Sequence, residues 1–294
     1  MHPDRAQHLK GAAICVAGVV ALSPDGLLVR LIATDAATLL FFRGLLMSLA
    51  LLGFLVLRYR GGVATRFTAL GLAGVAAAAL FALSTVCFVA AVRATTVANT
   101  LFILSAVPLI AAVFSRVFLG EAVAGRTWIA SVAVIGGMAV IGADSLRVGA
   151  AWGEFYALLC ALGWGGVMVL LRRARLDEPT PVMALGGVIV ALVALGAGPD
   201  FVVRPADAVY LGLLGLVVMP VAFGLISYGP RFLPAPEVGL ILLLEAILGP
   251  LWAWLVVGEV PTAQAALGGA IILGTLALNF LAGWRATTTV PDAA

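Results

Sequence analysis

Apolar runs of membrane-spanning length are the feature that most constrains this chain. A bilayer core requires about 20 mostly apolar residues per helix. Ten runs of roughly that length follow one another: 11–33, 36–57, 68–91, 97–118, 126–143, 150–171, 181–198, 208–228, 236–257 and 264–284. Inside lipid, a single segment satisfies its backbone polar groups only as a helix. The sequence therefore predicts an all-α integral membrane protein with ten transmembrane helices.

The composition agrees with a surface that faces the lipid bilayer. Hydrophobic residues make up 63% of the chain and charged residues 11%, with a mean hydropathy of +1.18. So few charged side chains cannot cover a soluble domain. The net charge of +3 is small and the arginines are scattered between apolar runs, so a nucleic-acid partner is not expected.

The distribution of basic residues predicts the orientation. If the amino terminus is cytoplasmic, twelve Lys and Arg residues fall at cytoplasmic ends and four at the other side. Lys and Arg are retained on the cytoplasmic side. We expect both termini, 1–10 and 285–294, to be tails in the cytoplasm, and the chain to lie in the cytoplasmic (inner) membrane. The first run is too long for the apolar core of a signal peptide.

Two short motifs recur with the same spacing. GAA occurs at 11–13 and 149–151, and Gly-Glu occurs at 120–121 and 258–259, so the two copies of each motif are equally far apart in the sequence. Each half then holds five runs, and the second half enters the membrane from the opposite side. We predict two inverted repeats, residues 11–143 and 149–284, enclosing a central cavity. Inverted repeats are typical of secondary transporters, whose substrate site lies between them.

Longer motifs carry a family resemblance. FLGE at 118–121 and VVGE at 256–259, with the Gly-rich GGMAVIG at 136–142, resemble the EamA repeat of the drug/metabolite transporter (DMT) superfamily, in two copies over nearly the whole chain. ALSPDGLLVRL at 21–31 and PAPEVGLILLLEAILGPLWAWLVVGE at 234–259 are similar to amino-acid and metabolite exporters of that superfamily, including the YddG type.

The resemblance implies a fold and an activity. It implies a ten-helix basket in which helices 1, 3, 4, 6, 8 and 9 enclose the cavity and helices 5 and 10 lie outside. It also implies export of small organic metabolites, such as amino acids, by alternating access. Ten spans suffice to enclose a cavity, so we expect a monomer whose partners are a small-molecule substrate and lipid, with no cofactor.

Glu245 is the first candidate site residue. It lies near the middle of the ninth run, where an ionisable group normally faces the bundle interior or a water-filled cavity. Its neighbours on one helix face include Gly249 and Trp252. Glu245 is predicted to bind a substrate ammonium group, to take part in proton coupling or to hold a gate. The alternative is a structural carboxylate that bonds a neighbouring helix.

Aromatic and hydroxyl side chains are the remaining cavity candidates. Tyr156 and Trp164 stay broadly on one face of the sixth run, and Trp252 is deep in the ninth. Aromatic rings suit an amphipathic ligand and add cation–π contacts to an ammonium group, although ordinary helix packing explains them equally well. Phe88 and Ser84 share a face of the third run, and Ser105 lies in the fourth. Serines in membrane helices also permit close packing.

Prolines and buried charges indicate gating positions. The predicted helix breaks or kinks are at Pro24, Pro108, Pro220 and Pro250, because proline removes a helix hydrogen bond. Asp25 follows the first of these prolines and caps freed backbone or joins a gate. Arg43 lies about two turns into the second run, and both Arg43 and Arg30 are predicted to pair with Asp25, Asp35 or Glu154. For Arg30, snorkelling to the membrane interface is an equally good explanation. Glu121 and Glu259, the repeat markers, receive a structural role.

Other function classes have less support. The motifs of zinc proteases, serine hydrolases and P-loop ATPases do not occur in the sequence, so an enzyme is not expected. A channel would be favoured by rings of charge or carbonyl filters. Within transport, export of lipophilic organic cations and drugs is the main alternative to amino-acid export, since such cations need only Glu245 and aromatic rings.

Overall fold

The chain folds into helices that follow the predicted apolar runs. The structure is a computed structural model that describes residues 5–148, 151–174, 178–228, 232–233 and 235–288. Its helices in the first half are α1 (Arg5–Leu22), α2 (Asp25–Leu31), α3 (Ala36–Tyr59), α4 (Val63–Thr68), α5 (Gly71–Ala94), α6 (Val97–Leu104), α7 (Val107–Leu119) and α8 (Gly125–Val148). Those in the second half are α9 (Ala151–Ala174), α10 (Thr180–Gly196), α11 (Pro205–Gly212), α12 (Met219–Tyr228), α13 (Ala235–Leu242), α14 (Glu245–Val257) and α15 (Ala263–Thr288).

The first and last helices extend into the two predicted tails. Helix α1 already begins at Arg5 and α15 continues to Thr288, so parts of both predicted tails are helical. The remaining tail residues, 1–4 and 289–294, lie outside the described residues.

Nine helical stretches within the described ranges are long and apolar enough to cross a membrane. They are Gln7–Leu31, Ala36–Thr68, Gly71–Ala94, Val97–Leu119, Gly125–Ala143, Ala151–Ala174, Pro205–Ile226, Glu237–Val257 and Ala263–Ala282. Helix α10, at the seventh predicted position, is also apolar but has 17 residues. At a rise of 1.5 Å per residue it is about 25 Å long, slightly less than the ~30 Å of a typical hydrocarbon core.

Helix packing follows the repeat. Helix α5 packs on α9 and α1 packs on α12, so the third span meets the sixth and the first meets the eighth. Exchanging the two halves converts one pair into the other. The pairs α3 with α10, α6 with α14 and α8 with α15 are each converted into themselves. The two halves therefore occupy equivalent places in the bundle.

The fourth and ninth spans are both interrupted, at equivalent positions. Helices α6 and α7 have the same lengths as α13 and α14, and each precedes its counterpart by the spacing of the Gly-Glu motifs. At the break in span four, the N–H of Ala106 donates to the Ile103 carbonyl at 3.2 Å, and in span nine the N–H of Leu244 donates to the Ile241 carbonyl at 3.0 Å. Both bonds are of the tighter 3₁₀ type.

The recurring Gly-Glu motif marks where these broken spans end. Gly120 and Gly258 adopt the left-handed conformation, with φ of 71° and 70°, which costs glycine little and ends a helix. The following N–H groups, of Glu121 and Glu259, donate back to the carbonyls of Ser115 and Ala253 at 3.4 and 3.3 Å. The sequence repeat is thus a helix stop followed by a carboxylate.

The predicted helix breaks at Pro24, Pro220 and Pro250 differ from one another in the structure. Span one is interrupted at Ser23 and Pro24, and the Ser23 hydroxyl donates to the Val20 carbonyl at 2.9 Å. Before Pro220, residues Leu213–Val218 form a π-helical segment that continues directly into α12. Pro250 lies inside the uninterrupted helix α14. The break of span nine is therefore at Leu243–Leu244, not at the proline that sequence reasoning chose.

Candidate functional site

A cavity of about 430 Å³ lies between the two halves of the bundle. That volume lies in the range of small-molecule sites. Its charged lining residues are Asp25, Arg43 and Glu245, and the remainder of its wall is largely apolar. Both repeats contribute to it.

The spans around the cavity differ slightly from those that the resemblance implies. Spans 1, 3, 4, 6, 8 and 9 all contribute, but Arg43 and Met47 of span two and Met183 of span seven line it as well. Span two contributes because Arg43 reaches across to Asp25 on span one. Among the lining residues none comes from α8 or α15, which pack against each other.

Asp25 and Arg43 form a buried, two-pronged ion pair. Arg43 Nη2 donates to Asp25 Oδ2 at 2.9 Å, and Nη1 donates to Asp25 Oδ1. The guanidinium also contacts Met219 Sδ at 3.5 Å and lies 5.4 Å from the centre of the Phe88 ring. Arg43 and Asp25 are only 4% and 5% exposed. Of the three predicted partners of Arg43, the structure selects Asp25, and the two charges neutralise each other.

Glu245 is the first residue of α14, directly after the break of span nine. A carboxylate there is favoured by the positive end of the helix dipole. Glu245 is half-buried and its side chain lines the cavity. It makes no hydrogen bond or ion pair with any of the described residues. The break thus places a carboxylate that is available to a ligand.

Aromatic rings form one wall of the cavity. Trp164 packs edge-on against Phe81, with ring centres 5.3 Å apart, and lies 5.9 Å from Phe223. All three line the cavity, as does Phe88 under the Arg43 guanidinium. Of these four, sequence reasoning named Trp164 and Phe88 as cavity candidates. This wall suits an apolar or aromatic ligand body.

Methionines are a feature that sequence reasoning missed. Four of the six methionines, Met47, Met168, Met183 and Met219, line the cavity. Their thioethers are flexible and polarisable, and methionine-rich surfaces adapt to ligands of different shape. The signal was present in the sequence, because these four lie in four different apolar runs.

The predicted serines have different surroundings. Ser105 lines the cavity next to Pro108, and its hydroxyl donates to the Phe102 carbonyl at 2.6 Å. Ser84 is fully buried, donates to the Leu80 carbonyl at 2.8 Å and faces Gly163 of α9. Ser84 therefore does not line the cavity, because a close crossing of α5 and α9 covers it. This is the packing role that was the alternative.

Tyr156 and Trp252 also lie away from the cavity. Tyr156 packs beside Trp152 and Phe155, with ring centres 6.4 and 6.0 Å away. Tyr156 and Trp164 are eight residues apart on the same helix, which separates them by about 12 Å along the helix axis. Only Trp164 of that face therefore reaches the cavity. Trp252 is 39% exposed and donates its indole N–H to Ser23 Oγ at 2.9 Å, which ties α14 to the break in span one.

Of the predicted gating prolines, one lines the cavity and three do not. Pro108 lines the cavity at the start of α7. Pro24, Pro220 and Pro250 are not among the lining residues. Pro24 nevertheless positions the site, because helix α2 starts directly after it with Asp25.

Ion pairs between the repeats lie at opposite ends of the bundle. At the end that we call the Arg30 end, Arg30 Nε lies 3.1 Å from Glu259 Oε2, and Glu259 Oε1 accepts the N–H of Val97 at 2.6 Å. At the Arg172 end, Arg172 Nη1 lies 3.1 Å from Glu121 Oε2. Each pair joins the end of the first span of one repeat to the Gly-Glu motif of the other. Sequence reasoning gave these carboxylates a structural role and missed their arginine partners.

The Arg30 end is the more tightly closed. The side chains of Arg30 and Glu259 are 34% and 12% exposed, against 61% and 47% for Arg172 and Glu121. Glu154 Oε1 at the Arg30 end also accepts bonds from Thr95 Oγ1 and Asn99 Nδ2, at 2.6 and 2.8 Å. A second cavity of about 450 Å³, lined by Glu121 and Arg172, shares several lining residues with the first. The cavity therefore extends toward the Arg172 end.

The described residues contain no group of three or more His, Cys, Asp or Glu that is arranged to hold a metal ion. The three cysteines, Cys15, Cys87 and Cys160, are buried as free thiols.

The chain is similar to a known protein family, to a curated relative and to a solved structure. The model of the EamA-like transporter family matches twice, over residues 9–143 and 151–281. A relative described as "Uncharacterized transporter YdfC", from Bacillus subtilis (strain 168), is 27% identical over 196 residues, which span 59% of this chain and 59% of the relative. A solved structure described as "Crystal structure of protein" matches with a TM-score of 0.66 and 18% identity, over 94% of this chain and 98% of its own.

The solved structure supports the fold alone, whereas the family matches cover both halves of the chain. The two matched segments confirm the EamA repeats that the Gly-Glu motifs predicted. Members of the family are transporters. The chain belongs to the EamA-like transporter family, of the drug/metabolite transporter type.

Proposed function

We propose that this protein is a secondary transporter that moves small organic metabolites out of the cytoplasm through the cavity between its repeats. The observation that carries the proposal is a cavity lined by both repeats with an unpaired carboxylate, Glu245, at a helix break. Broken helices that meet near the midplane are where transporters bind their substrates. With α10 counted as a span, the chain crosses the cytoplasmic membrane ten times with both termini inside, as a monomer.

Alternating access is supported by the paired contacts at the two ends. Arg30 with Glu259 and Arg172 with Glu121 each join the first span of one repeat to the Gly-Glu motif of the other, and the first pair is the more buried. The basic-residue pattern supports a cytoplasmic position for Arg172. The geometry then corresponds to a cavity closed toward the outside and open toward the cytoplasm. Matched broken helices favour this mechanism over that of a channel.

Amino acids and organic cations are the two substrate classes to compare. The resemblance to amino-acid exporters favours amino acids, with Glu245 holding the ammonium group. The pairing of Arg43 with Asp25 favours organic cations, because it leaves the substrate carboxylate of an amino acid without a basic partner. Both classes carry a cationic nitrogen, so export of amine-bearing metabolites is the statement common to them.

Transport into proteoliposomes tests the proposal. Purified protein is reconstituted, and uptake of a panel of radiolabelled amino acids and organic cations is measured with and without a pH gradient. We expect saturable uptake of at least one amine-bearing solute that empty liposomes do not show. Dependence on the pH gradient reports whether protons are coupled. Uptake that rises linearly with concentration and equals that of empty liposomes for every solute would contradict the proposal.

A further inference from the structure

We propose that the cavity selects amphipathic organic monocations, amines without a carboxylate, with Glu245 as their counter-ion. This inference rests on the proposed function and names the substrate class of the same site. Organic cations are the substrate class that the sequence suggested as the alternative to amino acids. Four observations carry it: a free carboxylate, an occupied arginine, a helix end poor in donors and an apolar wall.

Glu245 supplies an acidic side chain that has no internal partner. Its carboxylate lines the cavity and bonds none of the described residues. Apolar side chains surround it, including Leu242, Leu243 and Ala246 from its own span. A buried charge is stable only when it is paired or neutralised. A bound organic cation satisfies that requirement directly.

Arg43 is not available to a substrate carboxylate. It is the one cationic residue among the described lining residues, and both of its terminal nitrogens donate to Asp25. Its remaining donor, Nε, is buried without a partner, so it does not face the cavity. An entering carboxylate would have to displace Asp25 from a fork geometry that is well suited to it. The two residues together therefore contribute no net charge to the site.

The amino end of α7 is the other place to consider for an anion, since helix N-termini attract anions. This end offers few donors. Pro108, at its second position, has no N–H, and the N–H groups of Leu109 and Ile110 already donate to the Ala106 carbonyl at 3.0 and 3.1 Å. The equivalent end in span nine carries Glu245 itself. Neither break therefore provides a good carboxylate site.

The rest of the wall suits the apolar body of such a cation. Phe81, Trp164 and Phe223 form the aromatic wall, and the four methionines extend it. Aromatic faces also attract ammonium groups. The adaptable methionines indicate tolerance of body shape, so charge type discriminates more strongly than body shape.

A matched series of ligands tests the charge requirement. Uptake into proteoliposomes is compared for phenylalanine, its amide, phenethylamine and N-acetylphenylalanine. At a pH of about 6, below the pKa of the amino groups, the amide and the amine are monocations, phenylalanine is a zwitterion and the N-acetyl compound is an anion. We expect uptake of the two monocations to exceed that of phenylalanine by about tenfold or more, because an unpaired buried carboxylate is strongly disfavoured. The anion is expected to show no uptake.

Glu245→Gln is the test variant and Glu237→Gln the matched control, since Glu237 pairs with His8 instead of lining the cavity. We expect Glu245→Gln to lose monocation uptake while its melting temperature in detergent stays near that of the wild type, and Glu237→Gln to retain uptake. Uptake of phenylalanine equal to or above that of its amide overturns the inference and leaves the proposed function intact. Saturable uptake of no panel member overturns the proposed function itself.

Discussion

Spans four and nine have similar backbone conformations but different side chains at their breaks. Both are interrupted at equivalent positions of the two repeats, with the same 3₁₀ bonds and the same glycine stop. At the first residue after the break, however, span four has Val107 and span nine has Glu245, and at the next residue Pro108 corresponds to Ala246. The shared geometry therefore does not depend on the proline, and the carboxylate belongs to one repeat only.

The charged pair shows the opposite asymmetry. Asp25 and Arg43 belong to the first repeat, and their counterparts in the second repeat, at the spacing of the Gly-Glu motifs, are Gly163 and Pro181. The first repeat thus supplies a neutral pair and the second an acidic side chain without a partner. The repeat therefore determines the shape of the cavity, whereas departures from the repeat determine its charge.

Asp25→Asn should have the largest effect, because it breaks the neutral pair of the first repeat. Removing one partner of a buried ion pair typically costs about 3–5 kcal/mol of stability. Freed Arg43 then offers its fork to a substrate carboxylate. We expect a lower melting temperature together with a gain in phenylalanine uptake relative to its amide. A control, Asp200→Asn, alters a carboxylate that bonds Thr38 outside the cavity. Unchanged selectivity in folded Asp25→Asn protein would mean that Arg43 does not control substrate charge.

Moving the acidic side chain from one repeat to the other tests whether its position matters as well as its charge. Val107 also lines the cavity, so the double variant Glu245→Val, Val107→Glu places the carboxylate at the equivalent break. We expect Glu245→Val alone to lose amine uptake, and the double variant to recover part of it. Recovery should be incomplete because Val107 is 8% exposed and packs against Ile103 and Ala161. Uptake by the double variant no higher than by Glu245→Val would show that the position of the carboxylate matters as well as its charge.

A proline introduced at the equivalent position of span nine tests the backbone difference. Ala246→Pro copies Pro108 and removes one N–H, which donates to the Leu243 carbonyl at 3.2 Å, so the stability change should be about 1 kcal/mol. We expect amine binding to persist and the maximal uptake rate to fall severalfold. The two are separated by measuring binding in detergent and uptake in liposomes. An unchanged rate would show that span nine keeps its break throughout transport.

The smallest effects should come from the two end pairs. Arg172→Gln removes a largely exposed pair, and such pairs contribute about 0–1 kcal/mol. Arg30→Gln removes the more buried pair and a bond to the Val92 carbonyl at 2.7 Å. We expect Arg30→Gln to lower the melting temperature more and Arg172→Gln to leave it nearly unchanged. The reverse order would contradict the assignment of the Arg30 end as the closed one.

The sequence was most informative about features that repeat. The equal spacing of the GAA and Gly-Glu motifs predicted the two halves, and the structure shows why the second motif recurs, since each of its glycines stops a broken helix. Apolar run lengths predicted the helices to within several residues. The depth of Glu245 in its run predicted a position at the cavity, because a charged group there has few other stable environments.

The sequence was least informative about partners and about the exact place of a break. Every break signal in the sequence contained a proline. These signals identified Pro108 but misplaced the break of span nine, where Leu243 and Leu244 give no local signal. Helical spacing placed Tyr156 and Trp252 on plausible faces, but the neighbouring helix decides what a face meets. The partners Arg30 and Glu259 are distant in sequence, and a single sequence contains no information that pairs them.

The absence of proline at Ala246 has a consequence for the orientation of Glu245. Every residue around the break of span nine keeps its N–H, so its 3₁₀ bonds can be exchanged for α-helical ones, whereas Pro108 prevents this in span four. A 3₁₀ helix advances about 120° per residue and an α-helix about 100°. Rewinding the break would therefore turn α14, and the Glu245 side chain with it, by about 20° per residue converted. Of spans four and nine, only span nine can change the rotation of its second helix in this way, and that helix carries Glu245.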